Sequence, residues 1–206
     1  MKQDITKYLN RLSQENNAIS LIAHKEAAPY RKTQANYSNP KISAVLVPLV
    51  FHQNQWQIIM IIRPKYDGHH SGQIAFPGGK AEPQDRSTKE TALRETHEEI
   101  GLSPSIFQIP TTLYKVYIPV SNYLIYPYVG VSESFNQNQL KLDPTEVEDV
   151  IFIPVNWLLH TTLKNILVTG SGGMKFKAPA FVYDKHAIWG ASCMMLNELK
   201  HRLSIS

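Results

Sequence analysis

Three glutamates, Glu95, Glu98 and Glu99, stand at positions i, i+3 and i+4 of one stretch of the chain, so a helix there projects all three carboxylates from a single face. Like charges at that spacing destabilise a helix, and the repulsion is relieved when a hard divalent cation sits against the face. Magnesium and manganese fit that role, because both take oxygen ligands and are held by carboxylates together with substrate phosphates. Arg94, immediately before the first glutamate, carries a guanidinium suited to hold a carboxylate through paired hydrogen bonds. Upstream lie Gly78 and Gly79, where the backbone can approach a ligand closely and offer a carbonyl to a metal or an amide to a phosphate. An acidic helix face by itself is most often only solvated, and the glycine pair leading toward it is what turns the pattern toward phosphate chemistry.

Other side chains are weighed against the same chemistry. Arg63 and Lys80 flank the glycine-containing segment and are cations placed to contact phosphate. His69 and His70 precede the glycines, as phosphate contacts or as plain surface histidines. Tyr114, Tyr117 and Tyr123 are candidates to stack on a base, although aromatic residues in strands more often serve a core. Cys193 has no evident partners and reads as a buried structural thiol.

The stretch from Gly79 to Leu102, ending Arg94-Glu95-Thr96-His97-Glu98-Glu99-Ile100-Gly101-Leu102, resembles the Nudix box of hydrolases that act on nucleoside diphosphates linked to another moiety. The second half matches at each defining position. The first half departs: fourteen residues separate Gly79 from Arg94, one more than the general pattern, and the usual early glutamate is absent, with Asp85 the nearest acidic residue. That departure resembles the coenzyme A pyrophosphatase branch. So do the run from Ile58 through Arg63, then His70, Gly72-Gln73 and Phe76-Pro77-Gly78-Gly79-Lys80, and downstream Pro119-Val120-Ser121, Pro127, Glu146-Val147 and Ile188-Trp189-Gly190.

Carried over by position, the resemblance implies metal ligands at Glu95, Glu98 and Glu99, with the Gly78 or Gly79 carbonyl as a further one, and Arg94 as the orienting residue. It leaves the general base open between a helix glutamate and a later loop acid, Glu146 being the loop candidate. The catalytic set is thus Glu95, Glu98, Arg94 and Glu146, and the substrate-binding set Arg63, His70, Gly78, Gly79 and Lys80. The implied cofactor is Mg2+ or Mn2+, and the implied reaction is cleavage of coenzyme A or a derivative to 3',5'-ADP and 4'-phosphopantetheine. Two alternatives remain: a Nudix hydrolase acting on ADP-ribose or another nucleoside diphosphate derivative, and a non-catalytic nucleotide- or RNA-binding module. The implied fold is an α/β one, the Nudix α/β/α sandwich with a mixed β-sheet.

The elements that must position these residues follow from local signals. Residues 87–100 carry helix signals, with Ser87 and Glu90 spaced as a capping box and Gly101 at the C-cap. Residues 42–51 and 56–62, rich in Val and Ile, predict a hairpin. Residues 63–80 hold too many glycines and prolines for regular structure and read as loop with a short strand near Ile74. Further strands are expected at 113–120, 123–131 and 150–153, then a short helix at 155–160, a glycine-rich turn at 169–173, two short strands within 176–183, and a C-terminal amphipathic helix bearing Trp189, Met195, Leu196, Leu199 and Leu203. Ile5, Tyr8, Leu9 and Leu12 are spaced for an N-terminal helix, followed by a polar loop over 27–40. The expected division is an appendage of residues 1–37 and a domain of residues 38–206.

The 206 residues suffice for one sizeable core, and 43% hydrophobic with 18% charged residues excludes neither folding nor solubility. The start of the chain lacks a secretory apolar stretch, and no run reaches bilayer length. A single cysteine fits a reducing compartment, and the cytoplasm is the expected location. The formal charge of +4 is spread without a basic block. The resemblance implies a small-molecule pyrophosphate as the partner, and neither a nucleic acid nor a membrane is expected; oligomeric state is open, a homodimer included.

Overall fold

Residues 43–50 are buried without interruption. They form the middle of β1 (Lys41–His52), and burial on both sides is what a near-continuous apolar run predicts for a strand between two layers. The computed structural model describes residues 12, 17–30, 38–64, 72–169, 173 and 175–204. β1 pairs in parallel with β7 (Tyr123–Ser132) over ten positions, from Lys41 opposite Tyr123 to Val50 opposite Ser132. On its other edge it pairs antiparallel with β2 (Gln55–Ile62) and, further along, with β4 (Gly78–Lys80). β3 (Ile74–Ala75) and β8 (Asp149–Pro154) flank β2, while β5 (Gln108–Thr112) and β6 (Val116–Ile118) pair with β7, all antiparallel. The result is a mixed eight-stranded sheet.

Alternation along β1 sends its side chains to two layers. Ala44 and Leu46 meet Ala92 of α2 (Thr88–Ile100), whereas Val45, Val47 and Leu49 join the core that holds Leu196, Leu199 and Leu203 of α4 (Gly190–Ser204). α1 (Asn17–Ala27) lies against α4, and α3 (Val155–His160) follows β8 directly. β9 (Lys164–Thr169), β10 (Lys175–Tyr183) and β11 (His186–Trp189) form a separate antiparallel sheet. Helices thus cover both faces of a mixed sheet, as expected of the α/β/α sandwich. Among the described residues no helix is long and apolar enough to cross a membrane.

The structure corrects several local expectations. The expected strand over 113–120 is shorter, β6 alone, and is separated from β5 before it at Tyr114, whose amide donates to both carboxylate oxygens of Glu198, each at 3.0 Å, instead of joining a ladder. The expected loop over 63–80 ends in β4. The two strands expected within 176–183 are one, β10, and the break falls after it at Asp184, whose φ of 51° makes the tight turn into β11. The capping box is half formed: the Ser87 hydroxyl accepts from the Glu90 amide at 3.2 Å, but the Glu90 carboxylate accepts from the Arg86 amide instead of that of Ser87. The C-cap is as expected, with Gly101 at φ 77° donating to the His97 carbonyl. Of the spaced N-terminal apolar residues, Ile5, Tyr8 and Leu9 lie outside the described residues, and Leu12 is buried. Cys193 is buried and free, and burial pushes its thiol up to about 12.

α1 is fastened by a buried polar network. Glu198, fully buried on α4, accepts from Ser20 at 2.7 Å and from Arg202 at 2.6 Å, and contacts the His24 ring at 2.8 Å, while Asn197 donates to the Ala23 carbonyl at 2.8 Å. Burial acts to raise the Glu198 carboxyl, but the His24 and Ser20 hydrogen bonds and the Arg202 charge outweigh it and hold it below its ordinary value. Removing one partner of such a set strands the others. Glu198→Ala is therefore expected to destabilise the fold by about 3 kcal/mol, read as a lowered denaturation midpoint; an unchanged midpoint would mean that the network is solvent-relaxed.

Candidate active site

The site is built where α2 crosses β4, and the two glycines of β4 have distinct tasks there. Gly78 sits at φ 149°, with space for a Cβ blocked by the Ala44 carbonyl oxygen at 2.3 Å and Val45 Cα at 2.5 Å. Only glycine lets this strand lie against β1. A Cβ on Gly79 would instead meet the Glu95 carboxylate, with Oε2 at 2.4 Å, so the missing side chain is the space that Glu95 fills. The Gly78 amide donates to Glu99 Oε2 at 2.8 Å, and the Gly79 carbonyl accepts from the Ser43 hydroxyl at 2.6 Å. The glycines were expected to admit a ligand, and in the structure they admit the carboxylates.

These contacts separate the two glycines experimentally. Gly78→Ala forces a backbone clash at positive φ and is expected to cost about 3 kcal/mol or more of stability. Gly79→Ala presses only on the far end of a flexible side chain. It is expected to leave the denaturation midpoint nearly unchanged while displacing Glu95 and reducing turnover about 100-fold. Parallel melts and rate measurements on the two variants check this, and equal losses of stability would defeat the distinction.

Arg94 ties the surrounding acids together. Its Nε and Nη2 donate to the two oxygens of Asp85 at 2.9 and 3.0 Å, its Nη1 donates to Glu98 at 2.7 Å, and Nη2 lies 3.1 Å from Glu95 Oε1 and 3.3 Å from the Lys80 carbonyl. The paired bonds hold the Asp85 carboxyl well below the usual carboxylate range. Asp85, the acid noted in the irregular first half of the motif, thus anchors the guanidinium, with Thr91 and the Glu82 amide as its other donors.

The candidate ligands divide. Glu95, Glu99 and Glu146 place one carboxylate oxygen each within 4.8 Å of one another. Glu98 is not in that group in this geometry; its side chain is 55% exposed and turned to Arg94. Glu146 reaches the cluster because its loop is sewn to the end of α2: the Asp143 amide donates to the Glu99 carbonyl and the Lys141 amide to the Ile100 carbonyl, each at 3.0 Å. Arg63 faces the same point, its Nη2 3.5 Å from Glu99 Oε1 and 3.4 Å from the Gly78 carbonyl. Lys80 is exposed at the end of β4. His69 and His70 lie outside the described residues. The Ser43 contact escaped sequence reasoning, since it depends on sheet register and has no local signal.

Burial raises the Glu99 carboxyl to about 8 against the opposing pull of Arg63 and the Gly78 amide, and the neighbouring Glu146 and Glu95 charges push the same way. Burial also raises Glu95, against Arg94. Glu99 Oε1 is buried without a hydrogen-bond partner. A buried carboxylate oxygen that lacks a donor, beside two further carboxylates, is a donor set of hard oxygens suited to a magnesium or manganese ion, and in that respect the residues fit the implied cofactor.

Comparison with known proteins identifies the family. The NUDIX domain family model matches residues 40–168. The human mitochondrial coenzyme A diphosphatase NUDT8 is 31% identical over 160 residues, covering 77% of this chain and 67% of that protein. The uncharacterized Nudix hydrolase NudL of Yersinia pestis (strain Pestoides F) is 27% identical over 210 residues, covering 98% of this chain and 96% of its own. A crystal structure of a MutT/nudix family protein from Enterococcus faecalis superposes with a TM-score of 0.52 at 16% identity, covering 96% of this chain and 73% of that one, a likeness of fold. With the family match spanning most of the chain and the box residues gathered around one carboxylate cluster, the chain belongs to the Nudix family of pyrophosphohydrolases, in the branch that includes the coenzyme A diphosphatase NUDT8.

Proposed function

We propose that the chain hydrolyses the pyrophosphate bond of coenzyme A or a close derivative, giving 3',5'-ADP and 4'-phosphopantetheine. The observation that carries the catalytic part is the convergence of Glu95, Glu99 and Glu146 on one point beside a buried, donorless Glu99 oxygen. The substrate part is supported by relatives that are named coenzyme A diphosphatases.

Glu95, Glu99 and Glu146 would hold the cation, with Glu98 the acid at the solvent rim. A magnesium or manganese ion there supplies counter-charge to the diphosphate and acidifies the attacking water. Arg94 keeps Glu95 and Glu98 oriented through its anchor on Asp85. Arg63 and Lys80 bring positive charge to the diphosphate, and His70 is proposed to join them. Glu146, the exposed member of the cluster, is the candidate to accept the proton from water. The catalytic unit is proposed as residues 38–206, with residues 1–37 an addition whose α1 packs on α4, in a cytoplasmic protein.

The test is a product assay over coenzyme A, acyl derivatives, ADP-ribose and dinucleotides, with magnesium, manganese or chelator, read by mass spectrometry. Metal-dependent appearance of 3',5'-ADP from coenzyme A is expected. Turnover of ADP-ribose at least about tenfold more efficient than that of coenzyme A and its acyl derivatives would replace this substrate assignment with the rival one.

A further inference from the structure

α2, which carries Glu95 and Glu99, ends like every helix in carbonyls that its own turns leave without donors. A loop far along the chain supplies them. The Lys141 amide donates to the Ile100 carbonyl and the Asp143 amide to the Glu99 carbonyl, each at 3.0 Å. Past Asp143 the chain turns at once. The Glu146 and Val147 amides both donate back to the Asp143 carbonyl, at 3.1 and 2.8 Å, with Pro144 at the turn position whose φ suits proline. Val147 is buried with Ile100 and Leu102, and the Glu148 amide donates to the Ile62 carbonyl at 2.8 Å. Glu146 lies between these fixed points, and of the three clustered carboxylates it is the one that comes from outside α2.

How closely this loop can lie against the helix is set at Gly101. A Cβ there would stand 2.8 Å from both the Lys141 amide nitrogen and the Lys141 Cβ, and 3.2 Å from the Gln139 carbonyl oxygen. Two of those atoms are backbone and the third is bonded directly to it, so no change of rotamer relieves the contact. With a side chain at 101 the loop must withdraw from the helix end, and withdrawal stretches the Lys141 and Asp143 hydrogen bonds that hold the turn bearing Glu146. The φ of 77° accounts for a glycine at a helix stop, but it does not account for this clearance. Gly190 shows the difference: its φ is 67°, and a Cβ there would meet nothing within 4 Å.

We propose that Gly101 is a positioning residue for the carboxylate cluster: its missing side chain lets the loop of residues 139–148 close on the end of α2, and that closure delivers Glu146 to Glu95 and Glu99. The assignment rests on reading the three carboxylates as a divalent-cation site. It gives Gly101 a task beyond ending the helix, and it makes cation affinity depend on a residue that has no side chain to offer the ion. Gly101 acts through Glu146, so removing the Glu146 charge should make the space at Gly101 irrelevant to the ion.

The test measures Mn2+ affinity by calorimetry on the full chain without substrate, at one pH, so it does not depend on turnover. Wild type, Gly101→Ala, Gly190→Ala, Glu146→Gln and the double variant Gly101→Ala with Glu146→Gln are compared. Gly101→Ala is expected to weaken Mn2+ binding about tenfold, the scale on which residues that orient a ligand act. In the Glu146→Gln background the same change should cause little further loss. Gly190→Ala carries a similar strain at positive φ without the clash, and should bind as wild type does. Pro144→Gly loosens the turn without adding a Cβ or changing charge; it should weaken binding in smaller measure, again only while Glu146 is present, and it serves if Gly101→Ala does not fold. Wild-type affinity in Gly101→Ala, an equal loss with and without the Glu146 carboxylate, or a matching loss in Gly190→Ala overturns the proposal. So does a Pro144→Gly variant that binds as wild type does or whose loss persists in Glu146→Gln. Absence of Mn2+ binding in wild type would instead remove the cation-site reading, and the proposal with it.

Discussion

Replacing Glu99 by Gln is expected to lower kcat/KM about 1,000-fold or more while the protein stays folded. The substitution keeps shape and leaves an oxygen to accept from the Gly78 amide, so the 2.8 Å tether between α2 and β4 persists. What disappears is the negative charge at the centre of the cluster, where Glu95 and Glu146 alone must then hold a divalent ion against the nearby Arg63 guanidinium. A cation that stabilises the transition state by several kcal/mol loses most of that benefit when misplaced, and each 1.4 kcal/mol is roughly a factor of ten in rate. Because the Gly78 hydrogen bond is kept and the charge removed is one that burial penalises, stability should stay within about 1 kcal/mol of wild type. Rates with coenzyme A and thermal melts, measured on one preparation, check both halves. Retention of more than about a tenth of wild-type activity would sink the assignment of Glu99 as the central ligand.

The second large effect is a pH-dependent stabilisation by metal. In the metal-free protein burial holds the Glu99 carboxyl at about 8, above its ordinary 4.5, and Glu95 is raised in the same sense. Between those two values the unfolded chain has released the proton and the folded chain has kept it, so folding takes up a proton and stability falls as pH rises through the window. The stabilisation is fully present below the ordinary carboxyl value and is lost by the time pH passes the folded value. A divalent ion replaces the proton, so its benefit should be small at about pH 5 and grow by about 2 kcal/mol or more by about pH 8.5. Chelated and magnesium-loaded samples melted at both pH values test this, with Glu99→Gln expected to flatten the difference. Equal stabilisation by metal at the two pH values would mean that the ion does not compete with the Glu99 proton.

Both effects come from a site that was only partly legible beforehand. The acidic face at Glu95, Glu98 and Glu99, the Ser87 cap and the Gly101 stop could be read because a helix repeats every 3.6 residues and its caps are set by immediate neighbours. Val- and Ile-rich runs marked β1, β2 and β7 for the same local reason.

The tertiary structure alone decided which carboxylates meet. Glu98 belongs to the same helix face as Glu95 and Glu99, yet Arg94, held by Asp85, draws it to the rim, while Glu146 arrives from a loop because that loop bonds to the end of α2. The strand character of Gly78 and Gly79, the alignment of Lys41 with Tyr123, and the tie between Glu198 and α1 belong to the same class. Each joins residues far apart in the chain through register, loop closure or burial. Sequence spacing carries side-chain direction within one element, but which elements lie side by side, and therefore which charges are desolvated together, is settled only when the whole core packs.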